Sequence, residues 1–234
     1  MKKLVLLSLL LCVATFAAAD TLYFYSGDFD PNNPNANGLA NETDAIVSGN
    51  PYGAATYQNF IVSGGAITVT GLFTNNLSTL NPSSAYWEIR SGMSEGNGGA
   101  LIASGTSAVT QTPTGRSGFG FTEFQDLVSG LNVNLGNGTY WFAVVPSDPT
   151  NAGRSFNSNT FGLNQVGSDI ANQQFWNSGF FGANYTNANN EGVFQAFSGG
   201  VFVGGVATPE PGTLVLLGSG LLGLAGTLRR RLML

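Results

Sequence analysis

The sequence predicts an all-β fold, an antiparallel β-sandwich of jelly-roll type, and three observations carry that prediction. Gly is abundant at 33 residues while charged residues make up only 9% of the chain, a composition that suits many tight turns. Short segments alternate apolar and polar side chains with a period of two. Between the two termini scarcely any stretch repeats with helical period, so strands must bury their apolar faces against other strands. Hydrophobic segments flank this region and predict an N-terminal signal helix and a C-terminal transmembrane helix. The chain therefore divides into 1–19, a signal peptide, 20–207, an extracellular β-domain, and 208–234, a terminal signal.

The elements follow in order. Lys2 and Lys3 precede an apolar run from Leu4 to Phe16, and Ala17, Ala18 and Ala19 supply the small residues a signal peptidase reads. Export by the Sec route with cleavage before Asp20 is the expectation. Cys12, the single cysteine, belongs to the apolar run, because Leu11 stands where a lipidated cysteine needs a small residue before it. The exported domain thus has neither a disulfide nor thiol chemistry. Leu22 to Tyr25 reads as the first strand. The loop 26–41 carries Asp28, Asp30 and several asparagines, residues that serve a calcium loop or ordinary turns. Leu39 occupies the place of the bidentate glutamate, so an EF-hand is excluded and calcium at Asp28 and Asp30 is the only metal expectation.

In 66–73, Ile67 and Val69 face one way and Thr68 and Thr70 the other. In 86–90, Trp87 and Ile89 face a core while Glu88 and Arg90 face solvent. A Gly-rich loop over 91–99 leads to two short strands, 101–105 and 108–112, the second ended by Pro113, Thr114 and Gly115. Leu131, Val133 and Leu135 alternate with Asn132 and Asn134, and Gly136-Asn137-Gly138 turns the chain into 140–145. That run, Tyr-Trp-Phe-Ala-Val-Val, is apolar on both faces and reads as a central strand. Over 151–190 periodicity fails, leaving loops, short strands and a helical turn at 168–174 capped by Ser168. Strands at 193–197 and 201–203 close the domain.

Charge and composition narrow the function. Five of the eight basic residues lie in the terminal segments, and the domain keeps Arg90, Arg116 and Arg154 against all but Glu210 of the thirteen acidic residues. Such a surface repels phosphate backbones, so no nucleic acid is expected as partner. Without histidine the commonest general base and most transition-metal sites are gone, and no cofactor beyond calcium is expected. A glycosidase needs only two carboxylates. Glu123 and Asp126 are three apart in a strand and face opposite sides, and Glu88 and Glu95 lie in different elements. These carboxylates read as solvated, the protein as no enzyme, and a glycoside-active enzyme ranks last among the readings. Trp176, Asn177 and Tyr185, with Phe180 and Asn184, have the side-chain types that stack on and hydrogen-bond a sugar. A carbohydrate or exopolysaccharide contact there is the alternative to a structural or adhesive role, and core packing is the competing use of the same aromatics.

The last residues carry the most specific signal. Thr208-Pro209-Glu210-Pro211-Gly212 is followed by Thr213 to Leu228, which lacks any charge, and by Arg229, Arg230 and Arg231. The prolines hold an extended peptide, the apolar segment partitions into lipid, and the arginines stay cytoplasmic. At about 1.5 Å per residue the segment gives roughly 24 Å of helix, short of a bilayer core of about 30 Å. In this order the three features resemble the PEP-CTERM sorting signal of Gram-negative bacteria. The resemblance covers 208–234 and implies recognition by an exosortase, an integral-membrane cysteine protease or transpeptidase. It further implies transient membrane anchoring and then a place at the cell surface or in the extracellular matrix. Pro209, Glu210 and Pro211 would be the recognised peptide and Arg229 to Arg231 the cytoplasmic stop.

Overall fold

A computed structural model describes residues 20–32, 38–43, 53–148, 153–204 and 220. The expected signal helix, the expected transmembrane helix and the Pro-Glu-Pro peptide lie outside them. Among the described residues no helix is long and apolar enough to cross a membrane.

The described fold is all-β and antiparallel, as the composition requires. Its strands are β1 (Thr21–Tyr25), β2 (Asp28–Phe29), β3 (Ala54–Val62), β4 (Ile67–Ser78), β5 (Ser84–Ser91), β6 (Ala100–Gly118) and β7 (Phe121–Leu135). They continue with β8 (Gly138–Ser147), β9 (Ser155–Asn157), β10 (Asn159–Leu163), β11 (Phe175–Ser178), β12 (Ala183–Asn187), β13 (Ala196–Phe197) and β14 (Gly199–Val203). One sheet runs β1-β14-β4-β7-β6-β5-β8-β3-β11-β12 with β9 beside β4, and a smaller sheet runs β13-β10-β2.

The larger sheet curls into a half-barrel rather than separating into the two sheets of a sandwich. The cause is β6, a single 19-residue strand where the sequence predicts two short ones. Its first half pairs with β5, Ser91 opposite Ala100 and Ser84 opposite Ala108. Its second half pairs with β7, from Val109 opposite Val128 to Gly118 opposite Phe121. Pro113 does not break it, because its register with Phe124 is followed by a bulge that absorbs the missing donor.

The curl brings the two arms face to face over one core. Phe24, Leu72, Val128 and Val201 from one arm meet Phe60, Trp87, Ile89, Phe142 and Val144 from the other. Phe24 packs against Phe60 at 5.9 Å and against Phe142 at 6.4 Å between ring centroids. The strand β8 is central, flanked by β5 and β3. Its alternate residues Trp141, Ala143 and Val145 enter a second apolar cluster on the opposite face with Tyr57, Met93 and Phe175. Burial on both faces is why 140–145 shows no polar alternation.

Two expectations are corrected. The stretch 168–174 forms no helix; a 3₁₀ turn lies instead at Ala188–Glu191, capped by the Asn187 side chain, which accepts from Asn189 N. The strand expected at 193–197 shrinks to Ala196–Phe197. Residues Asp20–Gly204 form one compact unit.

Candidate functional site

Of the four carboxylates expected in solvent, Glu95 is exposed while Glu88, Glu123 and Asp126 are buried, and this changes the chemistry of the domain. Glu88 is 0% exposed. Alternation places Trp87 and Ile89 in the main core as predicted, but the other face of β5 is roofed by the 92–99 loop and β12. There Glu88 accepts hydrogen bonds from Tyr57 Oη at 2.5 Å, Arg90 Nε at 2.8 Å and Tyr86 Oη at 3.0 Å. Arg90 donates onward to Gly98 O at 3.2 Å, and its guanidinium lies 5.2 Å from the Tyr185 ring centre. Burial and the Glu88 charge push the Tyr86 phenol up to about 12. Desolvation is the largest single influence on Arg90 and opposes its charge, but the hydrogen bond and charge of Glu88 outweigh it and raise its pKa. A fully partnered, aromatic-lined ion pair of this kind clamps a sheet face to a loop.

The second node is Arg116. Its Nη1 lies 2.8 Å from Asp28 Oδ1 and its Nε 2.5 Å from Glu123 Oε2, and Glu123 is also buried. Thr114 Oγ1 donates to the same Glu123 oxygen at 2.6 Å. Asp28 further accepts from Tyr25 Oη at 2.6 Å and Asn164 Nδ2 at 2.7 Å. Burial, the largest influence, would raise the Asp28 pKa, but the bonds from Tyr25 and Asn164 and the Arg116 charge lower it overall. Asp30 accepts instead from Asn32 N at 2.9 Å, closing a turn. The Asp28 carboxylate expected to face calcium thus faces a guanidinium, and among the described residues no group of three metal-ligating side chains forms.

Asp126 is buried without a cation. Asn76 Nδ2 donates to it at 2.7 Å and Gln111 Nε2 at 3.0 Å. Burial raises its pKa to about 6, against the lowering influence of those two amides. Glu123 pairs opposite Leu77 and Asp126 opposite Thr74, so the two carboxylates sit on opposite faces of β7, as their spacing predicts. The third arginine, Arg154, pairs with Glu42 at 2.6 Å.

The aromatic residues singled out for a sugar are not on one surface. Trp176 is 5% exposed, sits with Ala40, Ala54 and Ala183, and donates through Nε1 to Ala40 O at 2.9 Å. Tyr185, on β12, packs on the other side, 5.7 Å from Tyr57. Asn177, on β11, pairs in register with Ala55. Asn184 Nδ2 reaches Gly96 O at 3.4 Å. Phe180 is exposed, edge-on to Phe181 at 4.8 Å.

A cleft missed by sequence reasoning lies beside the small sheet. It has a volume of about 200 Å³ and is lined by Phe161, Gln165, Asp169, Asn172, Phe194 and Gln195 among others. Phe161 and Phe194 are 62% and 65% exposed. Asp169 Oδ1 accepts from Gln165 Nε2 at 3.1 Å and its Oδ2 from Gln58 Nε2 at 3.2 Å, which ties the 164–174 segment to β3. The signal in the sequence was a pair of phenylalanines in polar, aperiodic surroundings, thirty-odd residues apart, which no local pattern joins.

Beyond Gly204 the candidate residues Pro209, Glu210, Pro211, Arg229, Arg230 and Arg231 lie outside the described residues. Comparison with known proteins reaches this stretch directly. The PEP-CTERM protein-sorting motif matches residues 207–231, a span that contains all six of these residues. No curated protein matches the chain. The chain therefore carries a PEP-CTERM sorting motif, which marks it as an exported protein sorted by an exosortase to the envelope or surface of a Gram-negative bacterium.

Proposed function

We propose that the chain is a structural or adhesive protein of the cell surface or extracellular matrix. In this reading it leaves the cytoplasm by the Sec route, is held transiently in the membrane through Thr213 to Leu228, and is released or transferred when exosortase acts near Pro209-Glu210-Pro211. The domain would act without catalysis and without a cofactor. The observation that carries the reading is the sorting motif following a single β unit that ends at Gly204. The engagement of Arg90, Arg116 and Arg154 with buried or half-buried carboxylates supports it, since these charges are spent on rigidity.

Intact mass spectrometry of the protein from envelope and medium, with and without the exosortase, tests this. A species beginning at Asp20 and ending between Pro209 and Gly212, absent without the enzyme, is the expected result. An unprocessed Leu234 terminus in the membranes of both strains would overturn it. A second reading, a carbohydrate- or exopolysaccharide-binding module, is favoured by one observation: exposed aromatic rings beside amides and a carboxylate in a cleft.

A further inference from the structure

We propose that the cleft beside β10 and β13 is a binding site for a neutral glycan, with Phe161 and Phe194 as the stacking rings and Gln165, Asp169 and Gln195 as the hydrogen-bonding groups. This rests on the carbohydrate-binding reading above and assigns it to residues other than Trp176, which is buried.

Four features support the assignment. The first is that Phe161 and Phe194 expose most of their surface while lining the cleft. An exposed ring beside polar groups offers a flat apolar surface to a ligand with one apolar face. A pyranose has such a face in its axial C–H groups, and its rim is hydroxyl. Second, the polar lining matches that rim. Side-chain amides both donate and accept, as hydroxyls do, and a carboxylate accepts. Third, Gln195 lines the cleft yet is only 7% exposed, so the packing around it holds its side chain in place. Finally, the cleft is held in shape before any ligand arrives. Gln58 donates to Asp169 with Nε2 and accepts from Phe197 N at 2.9 Å with Oε1, so one side chain joins the two segments. Preformed sites lose less freedom on binding.

Charge limits the ligand. Asp169 lines the cleft, among the described residues no lysine or arginine does, and the domain as a whole is acidic. Uronic acids, sulfated sugars and phosphosugars are therefore disfavoured against neutral hexoses, deoxyhexoses and N-acetylhexosamines.

The test uses the full chain in micelles of a polyoxyethylene detergent, which carries no sugar headgroup. Neutral and uronic oligosaccharides are titrated against it by calorimetry and by saturation-transfer NMR. Saturable binding of at least one neutral oligosaccharide is expected, weakened about tenfold by Phe161→Ala or Phe194→Ala and unchanged by Phe180→Ala. Both substituted rings are exposed, so the melting temperature should stay within experimental scatter of the parent and loss of fold is controlled. Binding that survives both substitutions intact would overturn this site and leave the glycan reading standing elsewhere on the domain. Absence of saturable binding to every neutral member would overturn both, and selective binding of the uronic members would overturn the charge argument with the site.

Discussion

Replacing Asp126 by Asn should stabilise the domain at neutral pH and leave it unchanged in acid. Asp126 is 0% exposed and its carboxyl titrates near 6 in the folded protein, against about 3.9 in an unfolded chain. Below the unfolded value both states are protonated and Asp126 contributes nothing to pH dependence. Between the two values the folded state holds the extra proton, so stability falls as pH rises. Above 6 the full cost is present. A shift of about two units corresponds to roughly 3 kcal/mol, an upper figure for the gain on removing the charge. The hydrogen bonds can survive. Asn76 is fixed by accepting from Asn41 Nδ2 at 3.1 Å while donating to Asp126, so the new amide oxygen must face Asn76. Its NH₂ then faces Gln111, whose amide is half-exposed and can turn its oxygen inward. Urea denaturation of residues 20–207 at pH 4 and pH 7.5 checks this. The two proteins should agree within about 0.5 kcal/mol at the lower pH, with the variant ahead at the higher. Parallel curves at both values, or a variant weaker at pH 7.5, would refute the reasoning.

Other perturbations test other contacts. Glu88→Gln preserves shape but leaves Arg90 without its counter-charge on a largely covered face, and a loss of roughly 3 kcal/mol in equilibrium unfolding is expected; a change below 0.5 kcal/mol would mean that solvent screens the pair. Trp176→Ala empties a site closed by Ala40, Ala54 and Ala183 and should cost about 3–5 kcal/mol in the same assay.

Legibility in the sequence depended on how many faces of a strand were covered. In β5 the period-two pattern correctly assigned Trp87 and Ile89 to the main core. It failed at Glu88 because its neighbours across space, Tyr57, Tyr86 and Arg90, make a polar residue suitable for burial, and no local pattern records them. The strand β3 escaped reading altogether. Ala54–Val62 is buried on both sides, so Thr56, Gln58 and Asn59 sit inside beside Tyr57 and Phe60 and periodicity vanishes. Gln58 and Asn59 are tolerated there because they bond to Asp169, Phe197 N and the carbonyls of Ile170 and Gln173. The joining of two predicted strands into β6 was hidden for a different reason. Its residues are never fully buried, and the signal that continues a strand past Pro113 is pairing with β7, which is long-range information. The sorting motif was legible because its whole chemistry lies within one contiguous stretch.

The place of β14 has a mechanical consequence. The domain's last strand is not at a margin: it is laddered to β1 on one side, Thr21 opposite Val203, and to β4 on the other, Gly199 opposite Thr74. Gly204 N adds a bond to Thr68 O at 3.1 Å just where the tail departs. Tension arriving through the tail is therefore loaded onto two antiparallel neighbours in parallel, and pulling along the strand must shear both ladders together instead of peeling one bond at a time. One of those neighbours begins a residue after the expected signal-peptide cut, so trimming the leader leaves the load path whole, while any cut beyond Tyr25 would halve it.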